Sequence, residues 1–236
     1  QEKALLKKPL TKIEKDRVLV LMISFLLVIV FWGAFEQAGG LMNIYASEKT
    51  NRMLMGWEVP ASWFQSLNAM FIIIFGTVVA AYWAKRKLNG KLSTSLFKMI
   101  LGLIIMGAGF FFMTGASMQY DDGGSSAMYW LVLAYLFHTI GELCLSPVAL
   151  SYITKLSPVK YGSIMMGVYF AMTGFGNKLA GLLGESASEL GEYTIFTGIA
   201  VFCVLFGLLV MVFRNKLEKL THGAEDNERI INTQTE

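Results

Sequence analysis

The chain has 236 residues, of which 55% are apolar and 13% aromatic but only 16% charged, with a net charge of +3. A soluble domain carries about 25% charged residues, so this composition excludes an ordinary soluble enzyme, a nucleic-acid binder and a disordered chain, and it points to an integral membrane protein. At ~20 residues for each spanning helix, the length accommodates about six spans and their links.

Residues 1–17, QEKALLKKPLTKIEKDR, are basic and too charged for a signal peptide. They read as a cytoplasmic linker that enters the first span, or as the cut end of a longer protein. Six apolar runs follow, at 18–41, 62–84, 96–115, 127–154, 161–184 and 193–213, each bounded by charges or turn residues. All are too long for strands, and lipid offers backbone polar groups no partner outside a helix or a closed barrel. The predicted fold class is all-α membrane, a six-helix transmembrane bundle over 18–213. A polar cytoplasmic tail at 214–236 closes the chain and reads as disordered beyond Thr221.

Cationic residues predict the orientation. The start, the links after spans two and four, and the tail, with Lys98 just inside span three, together hold seventeen Lys and Arg, whereas the opposite links hold only Lys49 and Arg52. Both termini are therefore expected in the cytoplasm, which requires an even number of spans. Tyr82 and Trp83 read as interfacial anchors at one end, and Trp57, Trp63, Tyr129 and Trp130 at the other. Cys144 and Cys203 both lie in apolar runs and suggest no disulfide framework.

Ionisable groups inside a membrane are costly and usually face a cavity. Glu142 lies deep in span four, on a stripe with Tyr135, His138, Ser146 and Ala149 at helical spacing. That stripe reads as the wall of a water-filled cavity, and Pro147 beside it is expected to bend the helix and free the carbonyl of Leu143. An acid hydrogen-bonded inside the bundle for packing alone is the plainer reading. Glu36, in FWGAFEQAGG of span one, shares a face with Trp32, Gly40 and Asn43 and has no basic partner visible in the chain. Asn68 in span two, with Gln65 on a related face, offers an amide that both donates and accepts; interhelical hydrogen bonding is its alternative. Tyr169, Thr173 and Asn177 form a line on span five, and Lys178 beside them reads as snorkelling to the interface. His138 reads as a proton relay or as a cavity partner of Glu142. The two are too few for a metal site and Cys144 lies off their stripe, so no metal is predicted. Glycines crowd spans three (Gly102, Gly107, Gly109) and five (Gly162, Gly167, Gly174, Gly181, Gly184), which predicts close helix packing there.

The runs FWGAFEQAGGL, SWFQSLNAMFIIIFG, GELCLSPVALSYITKLSP and GSIMMGVYFAMTGFGNKLAG strongly resemble the proton-coupled oligopeptide transporters of the major facilitator superfamily. They fall in the order and spacing of that family's last six helices, and the resemblance covers nearly the whole chain. It implies the carboxy-terminal bundle of that fold, in a proton-coupled symporter for di- and tripeptides that works by alternating access in the cell (inner) membrane. By the same resemblance Glu142 receives the peptide amino terminus, Asn68 contacts the peptide backbone or carboxylate, and Ser146 lines the pocket. Glu36 would serve proton coupling and gating. Tyr169 stands where the family usually has Trp, and Ala69 where many members have Pro, so the pocket wall differs in size and gains a hydroxyl. The family's ExxER run and its carboxylate-binding basic residue belong to an amino-terminal six-helix half that this sequence lacks. The chain is therefore expected to be one half, with that other half, protons, peptides and the bilayer as partners and no cofactor. A transporter of nitrate or another small anion fits a cavity acid poorly. A self-contained six-helix channel would carry paired NPA loops or an Arg-periodic helix, and an intramembrane enzyme an HExxH or GxSG stretch; none is present.

Overall fold

The computed structural model describes residues 9–225; what the sequence predicts for residues 1–8 and for the tail from 226 to 236 lies outside them. Thr11 starts the first helix with a reciprocal cap, accepting from the Glu14 backbone while its own N–H donates to the Glu14 carboxylate at 2.8 Å. The helix α1 runs over Lys12–Phe35, so the last part of the expected linker is already helical. A 3-10 turn at Glu36–Ala38 and the pair Gly39–Gly40 then break it, with Gly40 at φ −102°, ψ −107°, before α2 resumes at Leu41–Glu48. Hydropathy reads straight across this break. The glycine pair makes it, because glycine gains least from helix and loses most freedom in it.

Five more long helices complete the bundle: α3 Trp63–Leu88, α4 Ser95–Gly123, α5 Met128–Leu156, α6 Gly162–Leu190 and α7 Glu192–Lys219. The helices α4, α6 and α7 outrun their apolar runs by several residues, because a helix does not stop where lipid does; at 1.5 Å per residue the 29 residues of α4 span about 44 Å, against ~30 Å of hydrocarbon. The stretch 12–48 and the helices α3, α4, α5 and α7 are long and apolar enough to cross a membrane. The helix α6 matches them in length alone, since its glycines, hydroxyls, Asn177 and Lys178 dilute its hydropathy. Pro147 does not interrupt α5, which is helical on both sides of it.

The start of α1 and the end of α7 lie side by side. Arg17 Nε, near the start of α1, donates to the carbonyl of Thr221 beyond the end of α7 at 3.0 Å, and His222 meets Asp16 at 2.7 Å. Residues 222–225 are thus held against the bundle rather than loose. At the other end, Lys49 pairs with Glu192 at the start of α7 at 2.7 Å. Desolvation pulls the Lys49 ammonium down, but the hydrogen bond and charge of Glu192 outweigh it and hold its pKa above the ordinary lysine value. Beside this pair, β1 (Thr50–Asn51) runs parallel to β4 (Ser126–Ala127), and β2 (Met53–Leu54) with β3 (Trp57–Glu58) makes a small hairpin. These short pieces lie in links, not in spans.

The helix α4 is the core element, packed on α5 and on α7, while α1 packs on α6 and α3 on α5. Glycine permits the closest approaches. A methyl group added at Gly102 would stand 2.6 Å from the carbonyl oxygen of Gly141, and one at Gly176 would stand 2.8 Å from Trp32 Cβ. The expected packing role of span three's glycines therefore holds. In span five the close approach is at Gly176, whereas additions at Gly162, Gly167, Gly174 and Gly181 would meet nothing within 4 Å. Those glycines lie on the open side of α6, facing none of the described helices.

Candidate functional site

The polar groups of α3 and α5 meet inside the bundle. Glu142, half-buried on α5, accepts a hydrogen bond on Oε2 from Asn68 Nδ2 of α3 at 2.8 Å. The same amide nitrogen reaches Thr139 Oγ1 at 3.2 Å, and Thr139 in turn donates to the carbonyl of Tyr135 at 2.7 Å. Asn68 is thus fixed with its nitrogen toward α5. Its carbonyl oxygen is left without a protein partner among the described residues, an acceptor beside an acid.

A cavity of about 200 Å³ adjoins this pair, lined by Glu36, Gln65, Asn68, Tyr135 and His138. Glu36 comes from the 3-10 break after α1 and is half-buried. It makes no ion pair among the described residues. The two carboxylates, Glu36 and Glu142, lie within Coulombic range of each other. The Tyr135 hydroxyl donates to the carbonyl of Ala38 at 2.9 Å, and Gln37 Nε2 donates to that of Ala180 on α6 at 2.9 Å. The break is therefore tied to both α5 and α6.

Ser146 and Tyr169 form a second cluster. The Tyr169 hydroxyl lies beside Ser146, Thr173 and the Trp32 indole, whose buried Nε1 has no hydrogen-bond partner among the described residues. The five residues singled out from the sequence thus fall into two clusters, Glu36, Asn68 and Glu142 in one and Ser146 and Tyr169 in the other.

His138 departs from expectation. It is 1% exposed, packed on Gly109 and against Phe110 with ring centroids 4.4 Å apart, and neither ring nitrogen has a hydrogen-bond partner among the described residues. It is not bonded to Glu142: glycine at 109 leaves a slot that takes the imidazole, and only an edge of the ring reaches the cavity wall. Asn177 and Lys178 are exposed, so the line that starts at Tyr169 leaves the site within two turns. Among the described residues no three His, Cys, Asp or Glu side chains cluster as metal ligands. Thr139 and Trp32 were not among the residues expected to form the site. Thr139 stands three residues before Glu142, a helical neighbour of it, and that spacing was the available signal.

Comparison with known proteins gives one family. The family model described as the POT family matches residues 4–196. The peptide transporter YePEPT of Yersinia enterocolitica is 34% identical over 224 residues, covering 91% of this chain and 43% of the relative. A di-/tripeptide transporter of Lactococcus lactis subsp. cremoris is 27% identical over 201 residues, covering 83% of this chain and 40% of the relative. Among solved structures, the peptide transporter POT in complex with sulfate superposes with a TM-score of 0.84 at 30% identity, over 92% of this chain and 43% of that one. The chain thus spans less than half the length of the relatives it matches.

Proposed function

The chain belongs to the POT family, and from that premise we propose that it forms the carboxy-terminal six-helix half of a proton-coupled symporter for di- and tripeptides. It works by alternating access against an amino-terminal six-helix half, in the cell membrane, with both termini cytoplasmic and with protons rather than a cofactor as the driving partner. The observation that carries this reading is the Asn68–Glu142 bond at 2.8 Å beside a cavity that Glu36 also lines.

A peptide is a zwitterion, so its site needs an acid for one end and donors or cations for the other. Glu142 takes the amino terminus, Asn68 the backbone or carboxylate, and Ser146 and Tyr169 form the wall. Glu36 couples proton binding to gating. Burial disfavours a charged carboxylate and a neighbouring cation favours it, so an acid that alternates between such settings binds and releases a proton in each cycle. Each proton that enters brings ~2.3 kcal/mol per 100 mV of membrane potential, and rocking of two bundles about a shared midplane site exposes it to either side.

The open faces support a second bundle. Among the described residues α3 buries only Phe64, Phe71 and Trp83, and α6 only Tyr169, Gly176, Ala180 and Ala187. Lipid suits the apolar part of those faces but not Asn177 and Lys178. The test is Glu142→Gln in the whole transporter, assayed by proton-driven peptide uptake into liposomes. Loss of accumulation is expected; accumulation at the wild-type level would remove Glu142 from the site.

A further inference from the structure

At the cationic end of the bundle, away from the site above, the α3–α4 link and the first turn of α4 enclose a cavity of about 360 Å³. Four lysines line it, Lys87, Lys91, Lys98 and Lys155, with the hydroxyl residues Ser93 and Thr94. An acid from far along the chain already occupies it. Glu225, beyond the end of α7, accepts the backbone N–H of Ser95 on both carboxylate oxygens, at 3.0 and 3.3 Å. Within Coulombic reach of Glu225, the Tyr152 hydroxyl is fully buried and has no hydrogen-bond partner among the described residues. Glu218, the other acid nearby, is engaged by the Thr94 hydroxyl and by Arg214.

We propose that this cavity is a binding site for a phosphate oxyanion, filled in the membrane by the headgroup of an anionic phospholipid, and that the Glu225 carboxylate is its resident competitor. A helix start aims free N–H groups and a positive dipole end at an anion, and lysines at a membrane surface add further attraction. The seated carboxylate marks the place as one that holds an oxyanion. Depth decides the source. The apolar run of α4 begins at Leu96, next to Ser95, so its first turn belongs at the level of the phosphodiesters. There Lys98, whose ammonium lies over the Trp83 ring at 5.4 Å, reaches the interface from inside the first turn. This inference is independent of peptide transport and concerns the other end of the molecule.

The test is native mass spectrometry of the detergent-solubilised full chain, titrated with phosphatidylglycerol or with phosphatidylcholine. Phosphatidylglycerol should be retained preferentially. Lys98→Met should weaken its retention about five-fold, as expected for one lysine at an anionic surface, and Glu225→Gln should strengthen it by removing the competitor. The opposite signs separate binding from misfolding, since a misfolded variant gains no affinity. Equal retention of the two lipids by the wild-type chain, an unchanged Lys98→Met, or no gain in Glu225→Gln would each overturn the proposal. Displacement of phosphatidylglycerol by millimolar inorganic phosphate would assign the cavity to free phosphate and overturn the lipid assignment.

Discussion

Tyr135 donates its hydroxyl to the carbonyl of Ala38 at 2.9 Å, and through that bond the helix carrying Glu142 holds the break that carries Glu36. The bond joins a rigid element to an irregular one. A change in the charge of Glu36, two residues before Ala38, therefore has a direct mechanical route to α5.

Tyr135→Phe keeps the ring and removes the bond. A neutral hydrogen bond contributes ~0.5–1.5 kcal/mol, so a small fall in thermal midpoint is expected. In the whole transporter the variant should bind peptide with near-normal affinity and lose proton-driven accumulation. Binding and uptake measured on one preparation check this; a parallel loss of both would make Tyr135 part of the binding site.

Asn68→Ala removes the donor to Glu142 Oε2 and the partner of Thr139 together. A hydrogen bond to a charged group contributes ~1.5–3 kcal/mol, so peptide affinity should fall by about ten-fold or more. Thr139→Val is milder, because it keeps the shape and only frees Asn68 to turn. Equilibrium peptide binding to the two variants should rank them in that order.

Packing gives a prediction that does not depend on function. Gly102→Ala drives a methyl group against the backbone carbonyl of Gly141 at 2.6 Å, whereas Gly174→Ala meets nothing within 4 Å. Overpacking of this kind costs ~1–3 kcal/mol. Thermal denaturation of the solubilised chain should show a clear loss for the first variant and almost none for the second. In the two-half transporter Gly174→Ala should become costly as well, if the open face of α6 meets the other half.

The helices were legible because each apolar run is long and is bounded by charge, and the membrane permits little else. The acids were legible because Glu36 and Glu142 interrupt such runs. Their pairing was not. Whether Asn68 faces Glu142 depends on how α3 sits on α5, a matter of side-chain interlocking far apart in sequence. The break at Gly39–Gly40 was visible as a glycine pair but hidden by continuous hydropathy. His138 was misread for a related reason. A stripe at spacing of three and four drifts around the helix, and the slot left by Gly109 on α4 draws the imidazole into the core. The glycines of α6 misled in the other direction, since small residues announce close approach without saying to which neighbour.

The last prediction concerns Glu36. It lines the cavity, is half-buried, and makes no ion pair among the described residues. On the two-half reading its cation comes from the other bundle, and the pair closes the outer side in some states only. Protonation of Glu36 then weakens that pair and favours opening to the outside. Glu36→Gln mimics the neutral acid, so the variant should lose proton-driven accumulation while keeping some exchange of peptide down its gradient. Both are to be assayed on the same liposomes, one with an imposed proton gradient and one with peptide preloaded inside. Equal loss of both would make Glu36 a binding or structural residue. Unchanged proton-driven uptake would remove it from coupling and leave that role to Glu142 and the amino-terminal half.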